Sequence, residues 1–137
     1  MAKKSLTYLI CNDLVEAVKG ICEKTYLTRP SNISKEMGNL IVIEPLTTIY
    51  GKIAGDEDVM AECYGTYSVY CKAKTDNTIN INAQTTLVQK VKDVFPINTK
   101  HITATKPREL MRGADGNGFQ VTQITFKLRT KFNARNE

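Results

Sequence analysis

The sequence contains a single histidine, His101, and no Cys-x-x-Cys pair. Zinc sites are assembled from closely spaced Cys and His, so these two shortages leave a metal centre without ligands, and neither metal nor cofactor is expected. The four cysteines do not pair either. Cys11 and Cys22 fall in one expected helix, roughly 16 Å apart at ~1.5 Å rise per residue, too far to bridge. Cys63 and Cys71 share one face of an expected strand and cannot meet. The expectation is four reduced thiols, at least two of them core-facing. Long apolar runs are also missing. Residues 40–43 and 8–11 are the longest, far below the ~20 needed to cross a bilayer. The basic opening, residues 1–5, is followed by Asn12, Asp13 and Glu16, so it lacks the apolar region of a signal peptide. No membrane is expected, and the chain reads as cytosolic or assembled in the cytosol.

What is present is an ordinary globular composition. At 137 residues, 42% hydrophobic and 24% charged, the chain is expected to form one domain over residues 1–137 with its own core. The net charge of +5 is unevenly placed: residues 1–68 carry seven Lys/Arg against nine Asp/Glu, whereas residues 69–137 carry twelve against five. Such polarity steers a partner or guides one surface onto another.

The pattern of apolar residues sets the elements. Leu6, Ile10, Leu14, Val18 and Ile21 recur at helical spacing, which predicts a helix over residues 6–24 with Ser5 as its N-cap. Residues 28–32 read as a connector and 34–37 as a short helical turn. Residues 40–44 and 46–53, interrupted by Pro45, read as either two strands or one kinked edge strand. The acidic turn 55–58 leads to a strand with Tyr67, Val69, Cys71 and Ala73 on one face and Thr66, Ser68, Tyr70 and Lys72 on the other, as in a sheet with one buried side. A second helix is predicted over 79–95, with Ile79, Ala83, Leu87, Val91 and Val94 inward and Gln84 among the residues on the outer side. A short strand, 101–106, follows. The last strand, 119–132, changes phase between Phe119/Val121 and Ile124/Phe126/Leu128. Either a bulge or a strand serving two packing surfaces explains that change. Between these two strands, residues 107–118 read as a twelve-residue loop, a length often functional or flexible. The fold expected is α+β: a single mixed or antiparallel sheet, an N-terminal helix and a second helix packed on one face, and a long loop between the last two strands.

No catalytic set emerges. The glycines of residues 113–118 imitate a phosphate cradle, but a strand follows them and the Lys-Ser/Thr pair is missing. A calcium loop would need Glu eleven positions after Asp115, where Phe126 stands. His101 has no identifiable Ser or Cys partner for nucleophilic catalysis. Asp56, Glu57, Asp58 and Glu62 read as a solvated acidic turn. Lys127, Arg129 and Lys131 alternate along one face of the last strand, and Arg108 and Arg112 lie in the preceding loop. Two readings stand for this basic stripe: the solvated side of an amphipathic strand, or a surface meeting an acidic neighbour or a nucleic-acid backbone. Tyr64 and Tyr70, on the side of their strand away from the core, suit a protein interface and equally an ordinary sheet surface.

The order helix, strands, strand, helix, strand, long loop, strand resembles the tail-terminator and tail-completion proteins of tailed bacteriophages, the head–tail joining and neck-ring proteins. The residues carrying the likeness are 6–24, 40–73, 79–95 and 101–132, nearly the whole chain. It is a resemblance of plan, without a short motif, so no residue role comes with it. It implies a non-enzymatic virion protein, assembled in the host cytoplasm, whose copies form a ring of six, or alternatively twelve, around the DNA channel. Portal, neck and tail proteins are the implied neighbours, and double-stranded DNA passes without sequence-specific contact. On that plan Asp56, Glu57 and Asp58 would face the channel, and Arg108, Arg112, Lys127, Arg129, Lys131, Tyr64 and Tyr70 would face protein neighbours. The alternative is a small basic nucleic-acid-binding module.

Overall fold

Helix α1 (Leu6–Ala17) buries Ile10 and Leu14, and Val18 just beyond it completes the same stripe. The computed structural model describes residues 6–27, 38–44, 62–76 and 78–130. The helix is shorter than its apolar spacing predicted. The amides of Val18, Lys19 and Ile21 turn back to carbonyls three residues earlier, and Gly20 takes φ +86°, a conformation that ends helices and suits glycine. Cys22 therefore lies beyond the helix that holds Cys11. The residues released from the helix form β1 (Lys24–Leu27), a strand not expected from the sequence.

β1 pairs in parallel with β2 (Leu40–Glu44), from Lys24 opposite Leu40 to Leu27 opposite Ile43. β2 runs antiparallel to β3 (Glu62–Lys72), which runs antiparallel to β6 (Phe119–Thr130). β5 (Ile102–Ala114) and the two-residue β4 (Ile97–Asn98) complete a six-stranded sheet in the order β1-β2-β3-β6-β5-β4. Both helices cover one face. Ile10, Leu14 and Val18, with Leu87, Val88 and Val91 of α2 (Ile81–Lys92), pack on Ile41, Ile43, Tyr67, Val69, Ile124, Phe126 and Leu128. The expected α+β plan holds: one mixed sheet with its helices on one side.

α2 starts at Asn80, whose side-chain oxygen accepts the Ala83 N–H at 3.4 Å, and ends with Lys90 and Lys92 near the negative end of its dipole. Asp76 shapes the turn before it, accepting from the amide and hydroxyl of Thr78. Gln84, expected on the outer side, is buried and donates to the Thr122 hydroxyl, while its Oε1 has no hydrogen-bond partner among the described residues. The inward stripe is thus Gln84, Leu87, Val88 and Val91, rotated by part of a turn from the one predicted.

In the sheet, two expectations are corrected and one open alternative is decided. Residues 107–114 are not loop but strand: β5 continues through Arg108 opposite Thr125 and Met111 opposite Thr122 to Ala114. Only residues 115–118 turn, with the Asp115 carboxylate accepting from the amides of Asn117 (2.7 Å) and Phe119 (3.1 Å). Gly116 and Gly118 take positive φ there, and Gly113 takes it at the register shift near the end of β5, so their number reflects turn and bulge geometry. Next, β6 has no bulge against β3; its register is continuous from Glu62 opposite Arg129 to Lys72 opposite Phe119. The phase change arises from two surfaces. Ile124, Phe126 and Leu128 face the helices, whereas Phe119 and Val121 join Leu40, Val42 and Tyr70 in a second apolar cluster. Last, the sheet is not buried on one side only. Leu40, Ile41, Val42 and Ile43 are all buried, which is what an unbroken apolar run produces in a strand covered on both faces.

The expected strand over 46–53, the connector and short turn over 28–37 and the acidic residues Asp56, Glu57 and Asp58 lie outside the described residues, as does Lys131.

Cys11, Cys22 and Cys71 are free thiols. Burial raises all three above the ordinary thiol range, and Cys22 is pushed up to about 12 by burial first, then by the Cys71 thiol and Glu23, with Lys90 opposing. Burial likewise raises the Tyr67 hydroxyl. These groups stay protonated in the folded chain while the unfolded chain ionises its cysteines near 9.0 and its tyrosines near 10.0. The unfolded state then binds fewer protons, so stability falls as pH rises. Thermal melts should be level from pH 7 to about 8.5 and decline above about pH 9, less steeply in Cys22→Ala. A midpoint that stays level to about pH 11 would contradict the burial argument.

Candidate functional site

The face away from the helices changes character along its length. At one end lies the buried apolar cluster of Leu40, Val42, Tyr70, Phe119 and Val121, flanked by Tyr26. Hydroxyls and one carboxylate follow: Ser68 donates to Glu44 at 3.1 Å, and the Thr66 and Thr125 hydroxyls meet at 3.5 Å. At the other end the cations collect. Lys127 stands opposite Tyr64 on one side and Thr105 on the other, and Arg129 stands opposite Thr103. Arg108 lies opposite Thr125 and so shares this face.

Strict alternation along β5 would put Thr105 and Arg108 on opposite faces. A bulge prevents this. Between the pairs Thr105–Lys127 and Arg108–Thr125, β5 places two residues, Lys106 and Pro107, against the single Phe126 of β6. Lys106 sits in the bulge at φ +58°, the only non-glycine at positive φ among the described residues, and Pro107 follows it. A second bulge, between Met111 and Gly113, contains the exposed Arg112.

The result is a shallow groove of about 220 Å³ lined by Tyr64, Lys106, Arg108, Thr125, Phe126 and Lys127. A second depression, lined by Thr103, Thr105, Lys106, Lys127 and Arg129, shares both lysines with it. Among the described side chains, no carboxylate lines either one. The arrangement offers ammonium, guanidinium and hydroxyl donors, which is chemistry for binding an anion.

Of the residues the sequence singled out, the fold brings Tyr64, Arg108, Lys127 and Arg129 together on this surface. Arg112 is exposed farther along β5 and lines neither depression. Tyr70 is corrected: it lies on the expected face, but it is 5% exposed and packs edge-on against Phe119, so its ring is not presented to a partner. Lys106, Thr103, Thr105 and Thr125 were missed. The signal for Lys106 was Pro107, which cannot donate to a ladder and marks a bulge when it occurs inside a strand.

His101 serves the structure. Its Nδ1 lies 2.8 Å from the Asp13 carboxylate of α1, and the Thr99 hydroxyl donates to the same oxygen at 2.6 Å. The Thr99 oxygen in turn accepts from the amides of His101 and Ile102. Asp13 thus ties α1 to the β4–β5 turn, and the Thr99 proton goes to the carboxylate, not to the imidazole. Asp13→Ala should cost about 1–3 kcal/mol, the penalty for stranding half-buried donors. A urea titration showing no loss would remove this tie from the account. Among the described residues, no three His, Cys, Asp or Glu side chains gather to hold a metal ion, and no helix is long and apolar enough to cross a membrane.

The fold and this surface define an α+β protein with a helical layer on one side of its sheet and a cationic groove on the other. No protein-family model matches the sequence, and no curated protein matches it. The fold is similar to that of a chain in the virion of a native gene transfer agent particle. The TM-score is 0.51 at 12% identity, over 92% of this chain and 91% of that one.

Proposed function

We propose that this protein is a structural subunit of a phage-like virion, and that its copies form a ring at the head–tail junction, in the neck or tail-terminator position, around the path of the DNA. One observation carries the reading: the likeness to the gene transfer agent virion chain covers 92% of this chain and 91% of the other. The two chains therefore share a whole unit and not a common hairpin. On this reading the chain works by contact, not by chemistry. Its partners are further copies of itself, six with twelve as the alternative, and the portal, neck and tail proteins on either side. It resides in the virion after assembly in the host cytoplasm.

The surface is consistent with a subunit that meets others. Leu110 and Met111 are 54% and 53% exposed, next to each other on β5 and pointing to opposite faces. Beyond Ala104 this strand has no outer neighbour among the described residues, because β4 pairs only with Thr103 and Ala104. Pro107, two bulges and the charges of Arg108, Glu109 and Arg112 blunt the edge against indiscriminate strand pairing. Exposed apolar side chains on a blunted edge fit a specific neighbour better than open sheet extension.

Light scattering coupled to size exclusion, with negative-stain microscopy of the same fractions, tests the reading. A ring should weigh about six or twelve times 15.3 kDa and show a central hole. A chain that stays monomeric at high concentration would overturn it and leave the nucleic-acid-binding module as the better account.

A further inference from the structure

We infer that the groove formed by Lys106, Arg108 and Lys127 binds the sugar–phosphate backbone of nucleic acid without reading its sequence. This goes beyond the ring reading and does not require it. Three observations converge. The lining consists of two ammonium groups, one guanidinium and the hydroxyls of Thr125 and Tyr64, and the adjoining depression adds those of Thr103 and Thr105. These are the groups that contact phosphate and sugar oxygens. Next, three cations stand side by side in the lining. Of its two aromatic residues, Phe126 is buried on the helix side against Tyr67 and Phe95, and Tyr64 is half exposed. Like charges gathered this closely match the dense charge of a nucleic-acid backbone. An acidic protein segment is the other occupant, and competition with polyglutamate decides for or against it.

The third observation is conformational. Lys106 holds φ +58° immediately before a proline. A side chain disfavours the left-handed region, and a following proline restricts the residue before it further. The bulge that imposes this geometry also carries Arg108 onto the face of Lys127. Locally unfavourable backbone that assembles a cluster of donors is the pattern expected of a binding site.

Fluorescence anisotropy with labelled duplexes of two unrelated sequences tests the inference, using the full chain. Both duplexes should bind equally. With three phosphate contacts the log–log salt slope should be about −2.7, so affinity falls about 40-fold between 50 and 200 mM salt. Arg108→Gln and Lys127→Gln should each lower the slope by about 1. Lys106→Gly should weaken binding while raising the melting temperature, because glycine accepts the positive φ. A purely structural lysine would show the second effect without the first. The inference is overturned if the triple variant K106Q/R108Q/K127Q, shown folded by its melt, binds as well as the parent. It is also overturned if no duplex binds at 50 mM salt, or if polyglutamate of equal charge displaces DNA as effectively as unlabelled duplex. Light scattering on the same samples separates the two proposals: a monomer that binds removes the ring alone, and a ring that does not bind removes the groove alone.

Discussion

Tyr67→Ala is expected to lower the unfolding free energy by about 3–5 kcal/mol, the range for deleting a large buried aromatic. The ring is fully buried and lies 5.1 Å from Phe126 and 6.1 Å from Phe95, so truncation opens a cavity where β3, β6 and the segment after α2 meet. The hydroxyl adds a separate contribution. It donates to the Leu14 carbonyl at 2.7 Å. That carbonyl belongs to the last turn of α1, where helical acceptors lose their partners, and the Val18 amide that would normally reach it has turned to Val15 instead. Tyr67→Phe leaves the ring and strands this buried acceptor, at a cost of about 1–3 kcal/mol. Denaturant titrations of both variants measure the two contributions separately. Equal losses would mean that the ring contributes nothing beyond its hydroxyl, against the packing argument.

If copies of the chain assemble into the proposed ring through the β5 edge, the paired variant Leu110→Asp, Met111→Asp should convert rings to monomers while leaving the fold intact. Both side chains are more than half exposed and neither belongs to an apolar cluster, so the monomer loses no packing. At a subunit contact, by contrast, each carboxylate would have to be desolvated, and burying an unpaired charge costs several kcal/mol. Light scattering reads the mass, and the thermal melt checks folding. Rings of unchanged mass would move the subunit contacts away from this edge. The charge reversal of Lys127 and Arg129 offers a contrast. Those residues line the groove side of the sheet, so a variant that keeps the ring but loses DNA affinity would separate assembly from nucleic-acid contact.

Much of the architecture was legible in the chain because it follows from periodicity. The three-and-four spacing of Ile10, Leu14 and Val18 and the alternation of Tyr67, Val69 and Cys71 are local patterns, and each put its residues on the face the fold uses. Less was legible where two effects compete. Apolar spacing continues through Ile21, but Gly20 ends the helix and frees β1. The odd and even apolar sets of β6 are one regular strand with two covered faces, because its partner β3 runs beside it without interruption. Alternation cannot tell a bulge from a second packing surface. The glycines and charges of residues 107–118 imitate a loop, and only pairing with β6 shows that most of them form a strand.

The candidate site divides the same way. Composition alone determined that the second half of the chain is cationic and that no set of metal ligands or nucleophile with its base is spelled out along it. Alternation placed Lys127 and Arg129 on one face, since side chains two apart on a strand must share a side. The tertiary structure decided what joins them. A single extra residue at Lys106 reverses the phase of β5, so Arg108 comes to the face of Lys127, and Tyr64 arrives from 63 positions away in sequence through the β3–β6 ladder. Residue type travels with the chain, but the facing of one strand upon another depends on register. Register is set by long-range pairing and bulges: Pro107 marks a bulge locally, but which residues it brings face to face depends on the partner strand.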